Sequence, residues 1–201
     1  ASGDNSTAMG YQTTASGTAS TAMGNSTTAS GDYSTAMGKE TTASKDSATA
    51  MGKSTKASGI ASTAMGEGTI ANNYASTSMG QGTIASGLRS TAMGLQTTAS
   101  GDYSTTMGLQ TTASDYGSLV IGQNNSSGNT VTTDGSATSF NSNNTAFVIG
   151  NGDSNASKSD AFKVLFNGAV RINDSYTLPT TIGTEGQVLT CKNGAVIWAD
   201  I

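Results

Sequence analysis

Ala29-Ser30-Gly31-Asp32-Tyr33-Ser34-Thr35-Ala36-Met37-Gly38-Lys39-Glu40-Thr41-Thr42 decides the fold of this chain, because the stretch recurs. Copies of this fourteen-residue unit begin at Ala1, Ala15, Ala29, Ala43, Ala57, Ala71, Ala85 and Ala99, without insertion over the first 112 positions. A fixed period of this kind marks a repeat architecture. All eight methionines stand at the ninth place of a copy: Met9, Met23, Met37, Met51, Met65, Met79, Met93 and Met107. Each is followed by Gly and preceded two residues earlier by Thr7, Thr21, Thr35, Thr49, Thr63, Thr77, Thr91 or Thr105. The idealised copy is A-S-G-x-x-S-T-A-M-G-x-x-T-T.

Composition agrees with a repeat built from small residues. The 201-residue chain holds 26 glycines, and Leu, Ile, Val and Phe together number 27. So little apolar volume would ordinarily mean disorder. Charged residues are only 11% of the chain, however, and the strict spacing argues for order. No stretch approaches the ~20 apolar residues of a membrane span, so no membrane insertion is expected. A net charge of −4 disfavours nucleic acid as a partner. With no His and a single Cys191, a His-based triad, a His/Cys zinc site and an internal disulfide framework are excluded.

Within a copy, A-S-G-x-x-S-T and A-M-G-x-x-T-T share a weaker seven-residue period. Recurrent Gly and β-branched Thr are wrong for a coiled coil. The pattern predicts two short strands per coil, each ended by a turn that Gly makes possible, with variable pairs such as Asp32-Tyr33 and Lys39-Glu40 at exposed corners. Stacked coils then form two parallel sheets with a rise of about 4.8 Å per coil.

Side chains alternate across a strand. In S-T-A-M-G the Ser, Ala and Gly are therefore expected to point inward, with Ser78 and Thr106 replacing Ala in two copies, and Thr and Met outward. In the other strand Thr13, Ala15, Gly17 and their counterparts point inward, and Thr14, Thr28, Thr42, Lys56, Ile70, Ile84, Thr98 and Thr112 form an outer column. Met either fills a larger roll or covers an outer face buried against another copy. The second reading is preferred because Ala already holds the inward register and soluble monomers avoid long apolar stripes.

These repeats, written A-x-G-x-x-S-x-A-x-G-x-x-x, resemble the YadA-like heads of trimeric autotransporter adhesins over residues 1–122. The resemblance implies an all-β, left-handed parallel β-roll, a β-solenoid of fourteen-residue coils. It also implies three chains about a threefold axis and a role in surface attachment.

Beyond the repeats the register persists. Residues 118–122 read S-L-V-I-G and residues 146–150 read A-F-V-I-G, two coils apart. Leu119 and Phe147 take the Thr place, Ile121 and Ile149 the Met place, and Val120 and Val148 the inward place. Residues 123–150 are assigned as degenerate coils or a surface loop, and residues 151–201 as a small terminal β-module for trimerisation. An Asn167-Gly168 hairpin turn and a second turn at Lys192-Asn193-Gly194 are expected there. The run L-P-T-T-x-G-T-x-G-Q-V-L-T within residues 161–201 resembles a module near the C-terminal ends of phage and large-virus tail fibres. The chain opens in phase with a repeat, which predicts a segment of a longer fibre.

Chemistry beyond packing is sparse, and neither enzyme activity nor a cofactor is expected. Asp153 opens a calcium-like run that lacks the required Gly and Glu. Expected trimer contacts are the eight Thr and eight Met of the outer columns with Leu119, Ile121, Phe147, Ile149 and Trp198. Candidate ligand contacts are the corner residues Tyr11, Tyr33, Tyr74 and Tyr103, able to stack on sugar rings, and Lys39 and Lys53. Lys45 and Lys56 extend the same set, which either binds an acidic glycan or only keeps a rod soluble. Cys191 is expected to be buried as a small hydrophobe. The sequence therefore predicts a homotrimeric attachment fibre on a virion or cell, extracellular, meeting a host-cell glycan or protein receptor. The alternative is an ice-binding solenoid using the outward Thr14 and Ser16 columns.

Overall fold

The structure, a computed structural model, describes every residue except Asp174, Thr180, Asn193, Gly194 and Ile201. Among the described residues there is no helix. Each copy supplies a five-residue strand around its Met, from Thr7–Tyr11 to Thr105–Leu109, and a two-residue strand at the Thr-Ala junction, from Thr14–Ala15 to Thr112–Ala113. Long strands pair in parallel one copy apart, Met9 against Met23 and Met23 against Met37. The short strands form a separate eight-stranded parallel sheet. This is the expected parallel β-solenoid of fourteen-residue coils.

The interior is an alanine ladder. Ala22, Ala36, Ala50, Ala64 and Ala92 of the long strands face Ala29, Ala43, Ala57, Ala71 and Ala85 of the short ones, all with no solvent exposure. Thr27, Thr41, Thr55, Thr69 and Thr97 are buried beside them, and their hydroxyls have no hydrogen-bond partner. The two copies that break the Ala column differ in that respect. Ser78 Oγ lies 2.7 Å from Thr83 Oγ1, and Thr106 Oγ1 lies 2.6 Å from Thr111 Oγ1. A second inward hydroxyl in those coils gives the buried Thr a partner.

The inward assignment of Ser and Ala holds, but the glycine after Met does not follow it. Gly24, Gly38 and their equivalents are solvent-exposed at the corner. Gly38 has φ 122°, and a Cβ there would overlap the carbonyl oxygen of Gly52 in the next coil. Two constraints therefore demand glycine: a left-handed backbone and close approach of stacked coils. The bend itself is made two residues later, by the second variable residue. Glu40 (φ 56°) and Tyr33 (φ 58°) represent two columns of left-handed, mostly non-glycine residues. Their N–H groups donate to the preceding coil, as Glu40 N to Asn25 O and Tyr33 N to Thr18 O, both 2.8 Å. The corners are thus part of the coil-to-coil ladder, which offsets the cost of the rare conformation.

After the repeats, Leu119–Gln123 pairs in parallel with Thr145–Asn151, Val120 opposite Val148 and Ile121 opposite Ile149, so the two-coil spacing holds. Residues 124–144 form a connection that contains no strand. Its polar side chains substitute for missing strands. Asn125 Oδ1 accepts from Thr112 N (2.8 Å) while its Nδ2 donates to Thr112 O (2.9 Å), closing the end of the eight-stranded sheet. The buried Asp115 carboxylate accepts from Thr132 N, Thr132 Oγ1 and Thr145 N at 2.6–2.7 Å. Asp160 likewise accepts from the N–H groups of Ser126 and Ser127, both 2.9 Å.

The long-strand sheet does not stop at residue 150. Asp160–Leu165 joins Thr145–Asn151 antiparallel, and Val170–Ile172 and Tyr176–Thr177 extend it to thirteen strands. The Asn167-Gly168 turn forms as expected, Gly168 with φ 86°. Gln187–Lys192 and Ala195–Asp200 make a separate hairpin. Its turn at Asn193-Gly194 lies outside the described residues. Cys191 is exposed on this two-stranded hairpin, not buried, because no second layer covers that position.

Candidate interaction surfaces

The outer face of the long-strand sheet carries Thr and Met in unbroken columns, half-buried in most coils, with Met9 59% exposed at the end. Inward Ala and Val leave no room for Met inside. The strand register extends these columns further than the repeats do. From Met107 the Met column runs through Ile121, Ile149, Phe162 and Ile172. From Thr105 the Thr column runs through Leu119, Phe147, Val164 and Val170. The stripe thus becomes wholly apolar toward the antiparallel strands, and Phe147 and Phe162 lie 6.1 Å apart across it. Phe162, Val164, Val170 and Ile172 were absent from the expected contacts, because their place on this face depends on a chain reversal that no period announces. Trp198 is half-buried within its own chain: Nε1 donates to Thr181 O (2.8 Å) and the indole lies against Gly183.

The corners divide the candidate ligand residues. Tyr11 stands on the corner that follows Met-Gly, and Tyr33, Tyr74 and Tyr103 on the opposite one. Only Tyr74 and Tyr103 come together, with Arg89 between them at 5.3 and 5.5 Å from the two ring centres and donating 2.7 Å to Tyr103 Oη. Tyr116 continues the group, 5.3 Å from Tyr103 edge-on. Arg89 and Tyr116 were legible from the fourteen-residue spacing, since both fall near a multiple of the period from Tyr103.

The lysines do not assemble into one patch. Lys39 and Lys53 share a corner column, Lys45 belongs to the opposite corner, and Lys56 lies on the outer face of the short-strand sheet. Lys39 Nζ is 3.6 Å from Glu40 and Lys53 Nζ is 2.7 Å from Glu67, the two ion pairs among the described residues. The hydrogen bond and charge of Glu67 raise the Lys53 pKa above its ordinary value. Corner acids serve the ladder as well: Asp32 accepts from Thr18 N and Asp102 from Leu88 N. The Thr14 face is a poor template for ordered water. Its strands are two residues long, and Lys56, Ile70 and Ile84 interrupt the hydroxyl column.

A parallel solenoid with an alanine interior, exposed corners and one apolar outer face defines a structural repeat protein. The YadA head domain repeat matches residues 1–27, 15–41, 29–55, 43–69, 57–83, 85–105 and 99–125, well over half of the chain. The chain belongs to the YadA head repeat family. No curated protein matches it significantly.

Proposed function

We propose that this chain is a segment of a homotrimeric attachment fibre exposed on the surface of a cell or virion. The observation that carries the reading is the single apolar stripe running from Met9 to Ile172 on one face. Each Met buried against a neighbour contributes on the order of 1.5–3 kcal/mol, and a repeated stripe offers many such contacts in register. Closed symmetry satisfies it without leaving an open face. Light scattering at micromolar concentration is expected to give the mass of three chains. A monomer mass overturns the proposal.

Receptor contact belongs to the corners and to residues 123–144. Packing constrains the columns, while corner residues differ from coil to coil and face solvent. Threefold symmetry would present each corner three times and multiply weak contacts. The partner is a host-surface glycan or protein, with Tyr74, Arg89 and Tyr103 as the densest exposed group. Replacing Tyr33, Tyr74 and Tyr103 by Ser is expected to reduce attachment to host cells or a glycan array. Unchanged attachment would make the shaft a spacer.

A further inference from the structure

The interior face of the solenoid ends at a largely apolar pocket that two cationic residues line. Val148, the last buried residue of the inward column, has Lys163 directly opposite it on the antiparallel strand, and Lys163 in turn faces Arg171 on the next strand. Arg171 is paired with Thr177. Alternation puts all of them on the face opposite the Met stripe. Lys163, Arg171 and Thr177, with Leu165, Ala169 and Thr132 of the connecting segment, line a pocket of about 250 Å³.

Like charges directly opposite in an antiparallel pair are destabilising. Neither Lys163 nor Arg171 makes an ion pair among the described residues. Lys163 Nζ donates to Ser127 Oγ (2.7 Å) and Arg171 Nε to Thr177 Oγ1 (3.1 Å). Asp115 and Asp160 nearby accept from backbone N–H groups and hydroxyls of Ser126, Ser127, Thr132 and Thr145. Asp115 in doing so fixes Thr132 at the pocket rim. The pocket thus combines two cations, two hydroxyl side chains and an apolar floor of Leu165 and Ala169. The stripe lies on the other side of the sheet, so a second copy packed there does not reach the pocket.

We propose that this pocket binds a carboxylate-bearing sugar residue. Arg171 offers its guanidinium fork to the carboxylate, Lys163 adds charge, Thr132 and Thr177 meet ring hydroxyls, and Leu165 and Ala169 take the C–H face of the ring. The proposal extends the attachment reading by naming a ligand class at a second place. Its test does not depend on trimer formation.

The experiment is calorimetric titration of the whole chain with glucuronate, N-acetylneuraminate, glucose and inorganic sulfate, with amide chemical shifts followed in parallel. Saturable binding of one or both sugar acids is expected, with shifts centred on Thr132, Leu165 and Thr177, and none with glucose. Glucuronate alone would point to a uronic acid and N-acetylneuraminate alone to a nonulosonic acid, both within the proposal. Arg171→Gln and Lys163→Gln are each expected to weaken binding at least tenfold, while Lys56→Gln leaves it unchanged. Without ligand, the pocket variants are expected to melt no lower than the parent, because the like-charge opposition is relieved. A lower melting temperature with unaltered binding would mean a structural role and overturn the proposal. So would absence of saturable binding, sulfate binding as tightly as the sugars, or shifts elsewhere. Should Arg171→Gln fail to fold, the shift map of the parent chain still decides.

Discussion

Thr41 and Thr83 occupy the same place in different coils, yet one buried hydroxyl has no partner and the other meets Ser78. An unpaired buried hydroxyl costs about 1–3 kcal/mol, so Thr41→Val is expected to raise stability by about 1 kcal/mol. Thr83→Val removes the hydroxyl pair and leaves Ser78 Oγ only its bond to Thr83 O (2.9 Å), and is expected to lower stability by about 1 kcal/mol. Thermal unfolding of the two variants side by side checks the sign. The two glycine environments separate in the same way. Gly38→Asn meets both a φ of 122° and the neighbouring backbone, and is expected to cost at least about 1–3 kcal/mol. Gly68→Asn, at φ 62° with open space where Gln96 and Glu40 already sit in equivalent positions, is expected to cost under about 1 kcal/mol. Equal losses would show that backbone overlap between coils is not the constraint. That Gly38 is irreplaceable was legible in the repeat. That it bears the strain of stacking rather than of the bend was not, since a period cannot say how closely backbones approach.

At the scale of elements, Thr112 at the end of the short-strand sheet is held on both its N–H and its carbonyl by one side chain. Asn125 imitates the next strand by offering Thr112 both a donor and an acceptor. Asn125→Ala is expected to destabilise by about 1–3 kcal/mol and to accelerate hydrogen exchange at the Thr112 amide more than at Thr98. Exchange rising equally along the sheet would contradict a local cap. Before the structure, residues 123–144 offered only a polar composition. Such a segment holds hydrogen-bonding groups without a period to say which partner each will find, so the coil-or-loop question stayed open there.

At the scale of the molecule, replacing Met51, Met65 and Met79 together by Asp is expected to dissociate the proposed trimer, whereas Asp at Thr28, Thr42 and Thr98 is expected to leave its mass unchanged. Light scattering reads both, and equal effects would reverse the proposed faces. The stripe becomes wholly apolar at Leu119, Phe147 and Phe162, so in the proposed trimer the antiparallel strands are expected to register the chains before the solenoid stacks. Residues 1–112 alone should then refold to a trimer more slowly than the whole chain. With no histidine in the sequence, stability should be flat through neutral pH. The raised Lys53 pKa means its pairing contributes below the ordinary lysine value and is lost only as pH rises through the folded one. A melting temperature that moved across the neutral range would point to another titrating group.

By itself the sequence determined the coil length, the parallel stacking, the inward Ala and outward Met columns and the survival of the register to Ile149. Each follows from a fourteen-residue period acting through the alternation of strand side chains, a local rule that repeats. The tertiary structure alone decided that the sheet reverses direction after Asn151, and that the stripe therefore continues onto Phe162 and Ile172. It also brought Lys163, Arg171 and Thr132 around one pocket. Those placements depend on two antiparallel pairings and on side chains that stand in for strands, interactions that no local period encodes.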